Sequence, residues 1–189
     1  MLAADEQDWQ RRAAQGDRAA FAWLVQQHQT AVFNVAYRLL GNRRDAEDAA
    51  QEAFLRAFRN MARFDSQRPF RPWIKRITTN LCLNRLEAQR VRPAITEADV
   101  GNTDNPANLD EWAHHNPTPE QRMLAQEQAG DIRAAILQLP PHYRAVIELR
   151  HFQELSYEEM AVVLERPLSS VKSDLFRARK KLGDLLQQT

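Results

Sequence analysis

The sequence has 189 residues, of which only 5 are glycine, with 43% hydrophobic and 27% charged residues and a net charge of +1. So little glycine disfavours a turn-rich all-β architecture, and no apolar run approaches the roughly 20 residues that span a bilayer, so an all-α protein without membrane insertion is expected. The acidic start MLAADEQDW lacks the basic and apolar segments of a signal peptide, which predicts a cytoplasmic protein, and the single Cys82 has no partner for a disulfide or zinc site.

In chain order, a short helix is expected over residues 5–15. From Asp17, a plausible N-cap, the residues Phe21, Leu24, Val25, Val32, Val35, Ala36, Leu39 and Leu40 recur at three- and four-residue steps and predict a long helix ending at Gly41. Asn42 can cap a second helix with an alanine-rich inner face, Ala46, Ala49, Ala50, Ala53 and Ala57, that permits close packing. After the loop FDSQRPFRP, a third helix is predicted to begin near Trp73 and reach about Gln89, with Trp73, Ile74, Ile77 and Leu81 inward. Residues 93–119 hold four acids and prolines in every part but no amphipathic period, and read as a flexible linker. A helix capped by Thr118, with Pro119 in its first turn, leads to PPHYRAVIELRHF, a further short helix.

The last stretch, LSYEEMAVVLERPLSSVKSDLFRARKKL, opens on a capping box in which Ser156 and Glu159 exchange hydrogen bonds. Pro167 stops this helix, and Ser169 or Ser170 can cap the next, so two helices follow one another through a tight turn as in a helix-turn-helix. Val171, Leu175, Ala178 and Leu182 define the inner side of the second helix. Ser170, Ser173, Asp174, Arg177 and Lys181 are expected on the outer side, flanked by Lys172 and preceded by Arg166. Hydroxyls and cations suit phosphates, while Arg177 and Asp174 offer a donor and an acceptor to base edges. A bland alternative is a solvated basic helix whose charge favours its C-terminal dipole.

Charge is unevenly distributed. Residues 1–92 carry 16 basic against 10 acidic residues, residues 93–119 carry 5 acids and no Lys or Arg, and residues 120–189 balance at 10 against 10. Within the basic segment, Arg76, Asn80 and Asn84 form an i, i+4, i+8 stripe beside Lys75. The loop before it interleaves Arg63, Arg68 and Arg71 with Phe64, Phe70 and Trp73. Cations with aromatic faces suit single-stranded nucleic acid, although the aromatics can equally be core. The segment DAEDAAQE brings Asp45, Asp48 and Glu52 together. As a nuclease-type metal site it lacks a second ligand cluster, so an acidic protein-docking face is the better reading. Neither a metal nor a cofactor is implied, and His114 and His115 read as solvated side chains.

Three segments together resemble the extracytoplasmic-function (ECF) sigma factors of the sigma-70 family. FAWLVQQHQTAVFNVAYRLLGNRRDAEDAAQEAFLRAF is similar to regions 2.1–2.2, FRPWIKRITTNLCLNRL to region 2.4, and LPPHYRAVIELRHFQELSYEEMAVVLERPLSSVKSDLFRARKKL to region 4. The resemblance implies two small helical domains, residues 1–92 and 120–189, joined by the acidic linker 93–119. It implies docking of Asp45, Asp48, Gln51, Glu52 and Leu55 on the β′ clamp helices of RNA polymerase core. It also implies −10 promoter DNA contacts from Phe64, Arg68, Arg71, Lys75, Arg76, Asn80 and Asn84, and −35 contacts from Arg166, Ser170, Lys172, Ser173, Asp174, Arg177 and Lys181. A contact of the second domain with the β flap and a silencing anti-sigma factor are further partners so implied. One departure stands out: Ser169 to Asp174 reads SSVKSD where the family commonly has GTVKSR, which puts an acid in the recognition helix and leaves the −35 preference open. The competing reading is a free-standing helix-turn-helix regulator, which would need a sensor or dimer surface in its first half. A carboxylate-dependent nuclease is the remote third reading.

Overall fold

The computed structural model describes residues 2–91 and 130–187, so the linker and the Thr118 cap lie outside the described residues. Among the described residues all regular structure is helical. Helix α1, Leu2–Ala14, stacks Trp9 on Trp23 of α2, Arg18–Leu40, at 5.3 Å between ring centroids. Asp17 caps α2: its Oδ1 accepts from the amides of Ala19 and Ala20 at 2.9 and 3.1 Å. The Ala20 amide and the Arg12 guanidinium hold the Asp17 carboxyl below its ordinary range. Gly41 ends α2 at φ 86°, a left-handed position that glycine adopts without a Cβ penalty, and its N–H donates to the Tyr37 carbonyl at 2.9 Å. Asn42 accepts from the Asp45 amide at 2.7 Å and starts α3, Arg43–Asn60, whose buried alanines lie against α2.

A 3₁₀ turn, Met61–Arg63, and a loop lead to α4, Phe70–Val91. This helix begins three residues before the expected Trp73, because Pro72 falls within its first turn, where a missing N–H forfeits no hydrogen bond. Phe21, Leu24, Val32, Phe54, Phe70 and Ile74 form the N-terminal core. His28 is buried beside them, tilted against the Phe70 ring and 3.2 Å from Glu6 Oε1.

Burial lowers the His28 pKa from its ordinary 6.5, reinforced by Arg71 and Lys75 and opposed by Glu6. A histidine held neutral in the fold lets the unfolded chain take up the proton first as pH falls below about 6.5, so its contribution to stability is present above that pH and lost below it. Stability should therefore drop between pH 7.5 and 5.5, by at most about 1.4 kcal/mol per pH unit for this group. Denaturant titrations of the wild type and of His28→Gln check this: the slope with pH should flatten in the variant, and an equal slope would refute the assignment.

The second half runs from α5, residues 130–138, to α6, Pro141–Ile147, and a π-helical turn, Glu148–Phe152. Helices α7, Tyr157–Leu164, and α8, Leu168–Leu186, complete it. Ile136, Leu139, Val146, Leu149, Met160, Val163, Val171 and Leu175 make its core. The capping box is formed: the Glu159 amide donates to Ser156 Oγ at 3.2 Å, and the Ser156 amide to Glu159 Oε2 at 2.7 Å. Glu165, at φ 52°, supplies the left-handed turn after α7. The start of α8 differs from expectation. Pro167, rather than Ser169 or Ser170, is its N-cap residue, and the Pro167 carbonyl accepts from the Ser170 and Val171 amides at 3.0 and 3.1 Å. Proline fixes the extended entry to the helix unaided, so no side-chain cap forms.

The two halves share a third core. Ala145 of α6 is buried with Val35, Ala36, Leu39, Ala46, Ala49, Leu81 and Cys82 from α2, α3 and α4, and Leu164 of α7 packs on the same cluster. Leu137 of α5 lies against Gly41, so closely that a Cβ there would come within 2.9 Å of it. Burial pushes the Cys82 thiol up to about 12, consistent with a packing residue and not a nucleophile. Arg144 reaches across to donate to the Leu39 carbonyl at 2.8 Å and to Leu139 at 2.9 Å, serving the last turns of α2 and α5 together.

Candidate nucleic-acid and polymerase interfaces

The N-terminal end of α4 is fixed by aromatics. Phe64 lies 4.6 Å from Trp73 and 5.9 Å from Phe70 between ring centroids, and Phe70 is fully buried. Packing thus withdraws Phe64, 9% exposed, from direct contact with a strand; it supports the loop on which Arg68 and Arg71 are exposed. Lys75 is likewise 9% exposed, on the inner edge of α4, where the Thr79 hydroxyl donates to its carbonyl. Arg76 and Asn80 are half-buried and Asn84 is exposed, four residues apart along one side of the helix, as the spacing predicts. This side does not face open solvent. Asn80 and Asn84, with Leu83 and Glu87, form one wall of a cleft of about 360 Å³ whose other wall is His142, Val163, Leu164, Glu165 and Arg166.

On α8 the structure changes the assignment of faces. Asp174 stands three residues after Val171 and four before Ala178, both fully buried, and is itself only 7% exposed. Its carboxylate accepts a short hydrogen bond from Arg166 Nη1. The acid placed on the outer face by its charge is therefore turned inward and occupied by the arginine of the preceding turn. The centre of the exposed face is instead Ser169, Ser173, Phe176 and Lys180, with Lys172, Arg177 and Lys181 beside it. Phe176 is 72% exposed and was not among the residues expected from sequence. Its signal was present: it falls three residues after Ser173, opposite the Val171–Leu175–Ala178 side. An exposed phenyl among cations is apolar enough to meet a thymine methyl in a major groove.

On α3, Asp48, Gln51 and Leu55 share one exposed side. Leu55 is 51% exposed, and Phe58, its neighbour a turn further on, is also exposed while its ring meets Phe21 edge-on at 5.0 Å. Glu52 accepts from Arg56 at 2.8 Å, and that arginine keeps its carboxyl below the ordinary range. Asp45 is half-buried and accepts from Asn42 Nδ2 at 2.5 Å, so it belongs as much to the helix start as to the surface. The face thus pairs apolar anchors with acids, the composition of a protein-docking surface.

An all-helical chain with a helix-turn-helix at one end and a cationic, asparagine-bearing helix at the other defines a two-part DNA-binding protein of transcription. The family models for Sigma-70 region 2 and Sigma-70 region 4 match residues 24–92 and 129–182. The chain is 35% identical over 177 residues to the ECF RNA polymerase sigma factor SigW of Bacillus subtilis, covering 94% of each chain. It is 36% identical over 187 residues to the RNA polymerase sigma-H factor of Pseudomonas aeruginosa, covering 96% of this chain and 95% of that one. Among solved structures it is similar to CnrH in complex with the cytosolic domain of CnrY, with a TM-score of 0.63, 26% identity and 97% of each chain covered. It shares the fold of the sigma factor RpoE bound to the anti-sigma factor NepR from Bartonella quintana, with a TM-score of 0.63, 22% identity, and 88% of this chain and 96% of that one covered. The chain belongs to the ECF sigma factors of the sigma-70 family.

Proposed function

We propose that this sigma factor divides promoter recognition between its two halves: residues 1–92 dock on the polymerase and open the −10 element, residues 120–189 read the −35 element, and residues 93–119 tether them. The observation that carries this reading is the segregation of two unlike surfaces. The α4 stripe offers amides and cations suited to unpaired bases, and α8 offers a helix suited to a major groove. The β′ clamp helices are the partner for Asp48, Gln51, Glu52 and Leu55, with Asp45 fixing the start of their helix. Arg68, Arg71, Arg76, Asn80 and Asn84 meet the −10 strand, with Phe64 and Lys75 supporting them from within. Ser170, Lys172, Ser173, Arg177 and Lys181 meet the −35 duplex, joined by Ser169 and Phe176. Asp174 serves this contact by orienting Arg166 toward phosphate.

The chemistry of transcription belongs to the polymerase, so the chain needs no cofactor. No helix among the described residues is long and apolar enough to cross a membrane, which accords with a cytoplasmic site of action. An anti-sigma factor is a further partner, as for the structural relative bound to NepR.

The test is transcription in vitro with core polymerase, the chain and a genomic fragment library; absence of start sites dependent on the chain would overturn the reading. On a promoter so mapped, Asn80→Ala should weaken strand opening about tenfold with −35 duplex binding intact. Arg177→Ala should weaken duplex binding by about 1–3 kcal/mol with opening of a pre-bound complex intact. Equal losses in both assays would refute the division of labour.

A further inference from the structure

The two halves meet through charged groups as well as apolar ones. Arg38 of α2 donates to both oxygens of Glu148, from Nε at 2.6 Å and from Nη2 at 3.0 Å, and its guanidinium lies 4.5 Å from the Phe152 ring centre. Glu148 is 2% exposed and sits at the start of the π-helical turn, where Gln153 Nε2 also approaches it at 3.4 Å. Gln153 further reaches Thr79 Oγ1 of α4 at 3.4 Å, and Arg133 of α5 lies over the Tyr37 ring. A carboxylate so deeply buried is tolerated only because the arginine of the other half neutralises it.

This arrangement conflicts with promoter binding. The −10 and −35 elements are nominally 25 base pairs apart, about 85 Å along B-form DNA at about 3.4 Å per step. In the structure, Asn80 and Asn84 on one side and Arg166 on the other line a single cleft, and Arg76 lies 4.0 Å from Glu165. The outer face of α8 stays exposed, whereas the α4 stripe is covered.

We propose that the packed arrangement is a self-latched resting form, held by the Arg38–Glu148 pair, in which region 4 covers the −10 stripe. Opening of the latch precedes engagement of the two promoter elements. Only a partner that binds the open form better can shift this balance, and core polymerase, which must present the two halves to separated elements, meets that condition. The latch leaves the two DNA surfaces unequal: −35 duplex finds α8 accessible in either form, and −10 single strand binds only after opening, at an apparent affinity reduced by the open fraction. The covering of the stripe rests on the assignment of Asn80 and Asn84 to −10 DNA; the latch itself rests on the contacts alone.

The test uses the full chain with a fluorophore pair at Arg43→Cys and Asp131→Cys, both exposed; Cys82 is buried and escapes labelling. Energy transfer and binding of a single-stranded oligonucleotide carrying a mapped −10 sequence are measured for the wild type, Arg38→Glu, Glu148→Arg and the combined exchange. The milder Glu148→Gln guards against misfolding, with helicity checked by circular dichroism. Each single reversal is expected to lower transfer and tighten strand binding at least about tenfold, and the exchange to restore both toward wild type. Helical single variants with wild-type transfer would overturn the latch. Lowered transfer with unchanged strand affinity would uphold the latch and overturn the assignment of the stripe.

Discussion

Leu55→Asp is expected to reduce binding to core polymerase on the order of a hundredfold, a loss of about 2–4 kcal/mol for a central apolar anchor, while leaving the fold of the free chain intact. The side chain is half in solvent in the free chain and touches none of the buried alanines that pack α3 against α2, so a carboxylate there meets water until the partner arrives. In the complex it would be buried among the acids Asp48 and Glu52, without its apolar contact and beside like charges. Affinity for core is measured by titration of a labelled chain, with denaturation curves as the control. A change within about twofold would remove α3 from the docking surface.

Phe70→Ala is expected to cost the N-terminal half about 3–5 kcal/mol, the range for emptying a fully buried phenyl site. The ring meets Phe21, Phe64, Trp73 and His28 at centroid distances of 6.5, 5.9, 5.6 and 5.2 Å, so no single neighbour can close the space. Phe70 also opens α4, and its loss frees the turn that holds Arg71 and aims Arg76. Strand opening should therefore fail at temperatures where the wild type is active, before global unfolding. Denaturant midpoints read the first effect and promoter opening over a temperature series the second. A destabilisation below about 1 kcal/mol would show that this aromatic group is not what fixes the loop.

The local features of the fold were legible in the sequence. Asp17, Asn42, Gly41 and the Ser156–Glu159 box act within one turn of their own positions, so residue type and spacing suffice to place them. The apolar steps along α2 and α8 likewise identify their buried sides. What was not legible depends on residues distant in the chain. Arg38 and Glu148 are 110 positions apart, and neither interrupts the pattern of its own helix. Asp174 misled for a different reason: it lies at the edge of the buried side of α8, where charge argues for solvent and only the reach of Arg166 decides otherwise. Phe176 was overlooked because an aromatic residue is read as core by default, although its position on the helix places it opposite the core.

The Arg166–Asp174 pair limits the vocabulary of the recognition helix. With its only early carboxylate already saturated, the exposed side of α8 displays hydroxyls, a phenyl ring and cations, and neither an amide nor a free acid. Adenine and cytosine present amino groups that call for an acceptor, and only the hydroxyls of Ser169 and Ser173 remain to supply one. Guanine, which offers two acceptors, and thymine, which offers an acceptor and a methyl group, match what the helix displays. The selectivity of this surface is thus biased toward keto-bearing bases, by a contact that never touches DNA.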